Sequence, residues 1–129
     1  MHPDILNFIN EHNFVSVMNN TKWNKLATVI ESDPQKEPCV SVKFLNEAEP
    51  TGYSLMDWDL ETHNCTLFEW VDIDPIKRIR VGVLVPDKEI DLTSDVLEML
   101  NQSNIPYSIE NGMYRVWGYH KSGYVPAFV

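Results

Sequence analysis

Trp23, Leu26, Ala27 and Ile30 stand at i, i+3, i+4 and i+7, whereas from Cys39 onward apolar residues alternate singly with polar ones. A period near ~3.6 buries one stripe of a helix and a period of ~2 buries one face of a strand, so this switch divides the chain by element type. Helices come first and paired strands follow. Pro3 and Asp4 suit a first helical turn, and Ile5, Phe8, Ile9 and His12 then share a face until Asn13 ends or kinks the helix. Thr21 offers a capping hydroxyl to the second helix, which carries the Trp23 to Ile30 stripe. Asp33-Pro34 stops it, because the residue before proline is driven out of the helical region.

In the alternating region, Val40, Val42 and Phe44 interleave with Ser41 and Lys43 as a first strand. The second spans 67–73 and is apolar on both faces at Leu67, Phe68, Trp70, Val71 and Ile73, which suits a central position. Beyond Asp74-Pro75, Ile79, Val81, Val83 and Val85 alternate with Arg78, Arg80 and Gly82 up to Pro86-Asp87. This predicts a third strand antiparallel to the second, with Arg78 or Arg80 opposite Glu69 or Asp72. Thr93 or Ser94 can cap a third helix that buries Val96, Leu97 and Leu100 and ends near Asn104. Asn111-Gly112, flanked by Tyr107 to Ile109 and Met113 to Trp117, is a strong hairpin signal, since both central residues of a type I′ turn need positive φ. The pattern predicts an α+β fold: a mainly antiparallel sheet of about five strands, two N-terminal helices and one helix before a C-terminal hairpin. A length of 129 residues with 43% hydrophobic residues suits one globular domain over 1–129.

Charge is concentrated rather than spread. Between Asn46 and Pro75 stand Glu47, Glu49, Asp57, Asp59, Glu61, Glu69, Asp72 and Asp74 without one lysine or arginine, and the rest of the chain is nearly neutral. A net charge of −9 disfavours nucleic acid and anionic lipid and favours a basic protein partner or a cation. No stretch approaches the ~20 apolar residues of a membrane span. Met1 to Asn10 carries no basic leader or long apolar run, and Cys39 and Cys65 are too few for a disulfide scaffold, so reduced thiols in a cytoplasmic protein are expected.

Chemistry has thinner support. The triplets Asp57-Trp58-Asp59 and Asp72-Ile73-Asp74 would each place two carboxylates on one face of a strand, where a divalent cation could bind. Against a metal-dependent transferase, no glycine-rich phosphate loop follows any predicted strand. Cys39, His63, Cys65 and His120 lack the spacing of a zinc module, and Cys65 with His63 is a bare thiol and base pair. No catalytic residue, metal ligand or cofactor is therefore assigned. Glu69, Asp72 and Asp74 fall to the strand pairing. Glu47, Glu49, Asp57, Asp59 and Glu61, gathered around Tyr53 and Trp58 in loop-like sequence, are the expected partner-binding residues, with Trp58 weighed as an exposed anchor against packing onto the sheet.

Asn19-Asn20-Thr21-Lys22-Trp23, Glu69-Trp70-Val71-Asp72-Ile73-Asp74-Pro75 and Val116-Trp117-Gly118-Tyr119 resemble segments of a small, uncharacterised bacterial protein family across most of the chain. That resemblance implies no activity and no catalytic residues. In composition the chain also resembles bacterial immunity proteins, which mask the active-site surface of basic nuclease toxins; this implies a class of function and no particular residues. The expected role is an acidic cytoplasmic binding protein, most specifically an immunity-type inhibitor. The alternatives are a small metal-dependent enzyme or ligand-binding domain using paired carboxylates, and a homodimer or other homo-oligomeric structural protein for which the exposed strand of the Tyr107 to Trp117 hairpin offers an edge.

Overall fold

Both predicted N-terminal helices form, and local chemistry sets their ends. Helix α1 (Pro3–Glu11) stops just before Asn13, which takes a left-handed backbone at φ 57°. Helix α2 (Asn20–Ile30) begins two residues earlier than the Thr21 hydroxyl suggested, because the Asn19 side chain accepts from the Lys22 backbone N–H at 2.8 Å. A cap of this kind contributes about 1 kcal/mol. The structure, a computed structural model, describes residues 3–56, 58, 65 and 67–129.

After a 3₁₀ turn at Pro34–Lys36 come β2 (Val40–Phe44) and β3 (Phe68–Ile73), both within the predicted strands; β1 (Phe14–Ser16) precedes α2. Strands β4 (Ile76–Ile79) and β5 (Lys88–Asp91) lead into α3 (Thr93–Gln102), and β6 (Ser108–Glu110), β7 (Met113–Trp117) and β8 (Tyr119–Lys121) complete the order. The α+β class holds, with antiparallel strands divided among three sheets: β2-β3-β7-β6, β1-β8 and β4-β5. The turn at Asn111-Gly112 has positive φ at both residues, 52° and 79°, as the hairpin signal requires.

The expected third strand needs correction. Only Ile76–Ile79 is a strand, and it pairs with Lys88–Asp91 rather than with β3, whose neighbours are β2 and β7. Val81, Val83 and Val85 therefore alternate in sequence without a sheet to enter, and they remain 57%, 82% and 56% exposed. The expected ion pairs change with the pairing: Asp72 meets Arg115, Glu69 meets Lys43, and Arg78 meets Asp74 and Glu89.

One apolar core joins α2 (Trp23, Leu26, Ile30), α3 (Val96, Leu100) and the inward residues of the four-stranded sheet, Val40, Val42, Val71, Ile73 and Val116. Trp23 and Phe44 each meet the fully buried Phe68 edge-to-face, at centroid distances of 5.3 and 5.5 Å. A smaller cluster of Ile9, Leu45 and Tyr119 seats α1 against the β1-β8 ribbon. With α2 and α3 on one face, strand alternation sends Ser41, Lys43, Trp70, Asp72, Ser108, Arg115 and Trp117 to the other.

Candidate interaction surface

That second face is built around a row of polar residues crossing the strands. Ser41 stands opposite Asp72, Asp72 opposite Arg115, and Arg115 opposite Ser108. Beyond β2, the Val40 to Ser54 bridge places Tyr53 next in register with Ser41. Arg115 donates from Nε to Asp72 Oδ1 at 2.7 Å and from a terminal nitrogen to Oδ2 at 2.9 Å, a two-pronged pair that a planar guanidinium alone can make. Its guanidinium carbon lies 3.8 Å from the Trp70 ring centre and 5.3 Å from that of Trp117. Trp117 Nε1 in turn donates to Ser108 Oγ at 2.8 Å, and Ser108 donates to Glu110. Each buried polar atom in this row thus has a partner.

Electrostatics acts on both Arg115 and Tyr53. Burial opposes the Arg115 charge, but the hydrogen bonds and charge of Asp72 outweigh it and, with Glu110 and Tyr53 adding, raise its pKa above the ordinary arginine value. Tyr53 is pushed up as well, first by partial burial and then by Asp72 and Asp74, against an opposing contribution from Arg115. Its hydroxyl stays protonated beside the ion pair. The second cation of the face, Lys43, is taken up by Glu69 at 3.2 Å and by the Phe44 carbonyl at 2.7 Å.

Of the expected site residues, the structure describes Glu47, Glu49, Tyr53 and Trp58. Glu47 and Glu49 occupy the exposed turn joining β2 to the extended Thr51 to Ser54 segment, and neither is ion-paired with a described residue. Tyr53 is 44% exposed at the rim of the sheet face. Trp58 is not an exposed anchor: it is 1% exposed within the main core. Burying so large an apolar ring outweighed the cue from its flanking aspartates. Asp57, Asp59 and Glu61 lie outside the described residues. Sequence reading passed over Arg115, although Met113, Arg115 and Trp117 at alternate positions of a predicted strand already put the arginine on one face with an aromatic.

Cation and nucleophile chemistry gain little from this geometry. Asp72 is occupied by Arg115, and Asp74 accepts from the Ile76 backbone N–H at 2.9 Å and from Arg78 at 3.2 Å. Among the described residues, no three His, Cys, Asp or Glu side chains gather as a metal site would require. Cys65 is buried, its thiol donates to Asn20 Oδ1 at 2.8 Å, and burial pushes its pKa up, away from thiolate chemistry. His63 lies outside the described residues. Iodoacetamide at neutral pH is expected to label Cys65 only in urea, followed by peptide mass spectrometry; rapid labelling of the native protein would reveal an activated thiolate.

No described helix is long and apolar enough to cross a membrane. No curated protein and no solved structure matches the chain. A family model does match, described as a family of unknown function, DUF6678, and it spans residues 5–123. Those limits take in every strand, helices α2 and α3, and the whole Tyr53 to Ser108 row, so this chain belongs to the DUF6678 family.

Proposed function

We propose that this protein is a binding module for a basic protein, engaged through the Glu47 and Glu49 turn, Tyr53 and the Trp70–Arg115 face; an immunity-type inhibitor of a basic toxin in the cytoplasm is the most specific form of this reading. One observation carries it. Both described cations of the sheet face, Lys43 and Arg115, are neutralised by Glu69 and Asp72, so the charge left to a partner is that of Glu47 and Glu49, neither ion-paired with a described residue, beside half-exposed aromatic surface. Rim carboxylates steer encounter and set its salt dependence, whereas aromatic contact area slows dissociation.

The test begins with the basic protein that co-purifies with this chain from its host. Replacing Glu47 and Glu49 together by lysine is expected to slow association about tenfold at low salt and to flatten its salt dependence, with dissociation little changed. Tyr53→Ala should accelerate dissociation instead. Binding that ignores both salt and the charge reversal overturns the proposal.

A further inference from the structure

Asn13, Asn104 and Asn111 take a left-handed backbone, at φ 57°, 52° and 52°. The residue after each decides its chemistry. Phe14 opens strand β1, and Ile105 is buried with its N–H held by the Leu100 carbonyl at 3.1 Å. Asn111 is followed by Gly112, a neighbour that no other asparagine of this sequence has. Both residues are exposed, nothing lies within 4 Å of a Cβ built on Gly112, and among the described residues the Gly112 N–H is engaged by no turn or loop carbonyl. A side-chain amide and an unhindered backbone nitrogen thus stand next to each other in solvent.

An asparagine side-chain amide is an electrophile with ammonia as its leaving group, and the backbone nitrogen of the next residue is the nucleophile that closes a cyclic imide onto it. A side chain on that residue obstructs closure, and glycine has none. Closure also needs Asn111 to rotate out of its turn geometry, so the hairpin must open at its tip. Strand β6 offers little resistance: it is three residues long and lies at the edge of its sheet, with β7 as its neighbour. Short edges of this kind open at a fraction of the free energy of global unfolding.

We propose that Asn111 is a site of spontaneous deamidation through a succinimide, and that the isoaspartyl product detaches β6 from the sheet. Hydroxide removes the Gly112 N–H proton, the nitrogen bonds to Asn111 Cγ, and the Cγ–Nδ2 bond breaks to release ammonia, which takes its proton from water and regenerates hydroxide. Water then opens the imide at either carbonyl, to aspartate or to isoaspartate. The sum is a water consumed and an ammonia released, with nothing oxidised or reduced. Isoaspartate runs the main chain through its side-chain carbon, which lengthens a turn whose two central residues must both hold positive φ. Ser108, Ile109 and Glu110 then lose register with Arg115, Tyr114 and Met113. With Ser108 goes the acceptor that holds Trp117 Nε1 at 2.8 Å. The reaction belongs to the turn itself and holds whether or not the sheet face binds a basic protein.

Full-length protein incubated in mildly alkaline buffers of rising pH, then mapped by peptide mass spectrometry, tests the assignment. Asn111 should convert ahead of every other asparagine, at a rate proportional to hydroxide, to two products of equal mass, one of which is a substrate for an isoaspartate-specific methyltransferase. Asn111→Gly keeps a residue that takes positive φ readily and should lose the conversion. Mapping of the wild-type chain alone locates the site, so a poorly folded variant leaves the test intact. Hydrogen exchange on the chromatographically separated products reads the structural consequence: amides of the β6-β7 ladder should lose protection in the isoaspartyl protein and keep it in Asn111→Asp, whose backbone has the ordinary length. An Asn111 that stays intact, another asparagine that converts first, or an isoaspartyl protein whose β6 amides remain protected each overturn the proposal.

Discussion

Arg115→Met is expected to lower unfolding stability by about 3 kcal/mol, because it strands a carboxylate that the fold has already taken out of water. The Asp72 side chain retains 8% of its exposure and Arg115 only 18%, so solvent replaces little of the lost pair. The loss is larger than that of a surface ion pair, which contributes about 0–1 kcal/mol. Stacking adds to it, since the guanidinium also lies over Trp70 at 3.8 Å, a contact worth about 0.5–2 kcal/mol depending on desolvation. Two further variants separate the causes. Arg115→Lys keeps a charge but loses the two-pronged geometry and the stacking plane, and should sit between wild type and Arg115→Met. Combining Arg115→Met with Asp72→Leu removes both charges and should recover much of the loss, since a buried pair replaced by apolar groups is often near neutral. Urea titrations of the four proteins measure all of this. If the double variant is no more stable than Arg115→Met, the cost lies in packing rather than in the orphaned carboxylate.

That ion pair also shows where sequence reading stops. Periodicity placed α1, α2, α3, β2 and β3 within a few residues of their observed limits, because each buries a stripe or face whose spacing is local. The Asn111-Gly112 turn was equally legible, its φ requirement being carried by two adjacent residues. Asp72 and Arg115 are 43 positions apart, and nothing near either one specifies the other. Knowing that β7 rather than β4 lies beside β3 is a matter of tertiary pairing, and the arginines nearest in sequence were the wrong ones. Val81 to Val85 misled in the opposite way, since alternation signals a strand only when a sheet edge is there to receive it. Strands β1 and β8 are three residues each, too short for any period to register. Trp58 misled because its flanking aspartates read as solvent, while the indole between them had the larger burial energy.

Gly118→Ala is expected to destabilise by at least about 3 kcal/mol, at the upper end of what single substitutions do. Gly118 is the junction at which the chain leaves β7 of the large sheet and enters β8 of the small ribbon. Its N–H donates to the Glu69 carbonyl at 2.8 Å and its own carbonyl accepts from Val17 at 2.9 Å, so both of its backbone polar groups are committed to neighbouring segments. A Cβ here would overlap the backbone carbonyl oxygen of Phe68, with Glu69 oxygen only 3.4 Å away. The obstacle is main chain rather than a flexible side chain. Relief requires β3 to shift at Phe68, which is fully buried against Trp23 and Phe44, or β8 to withdraw and give up both hydrogen bonds. Gly52→Ala supplies the control, because nothing lies within 4 Å of a Cβ built there and the smaller entropy of the unfolded chain should leave stability unchanged or slightly higher. Thermal and urea unfolding of the two variants side by side settle the matter: a Gly118→Ala loss below about 1 kcal/mol would mean that β8 crosses β3 less closely than the structure places it. A large loss would identify this crossing as the point where the two sheets are held in register, and with them Trp117, which flanks Gly118 and carries one side of the Arg115 stack.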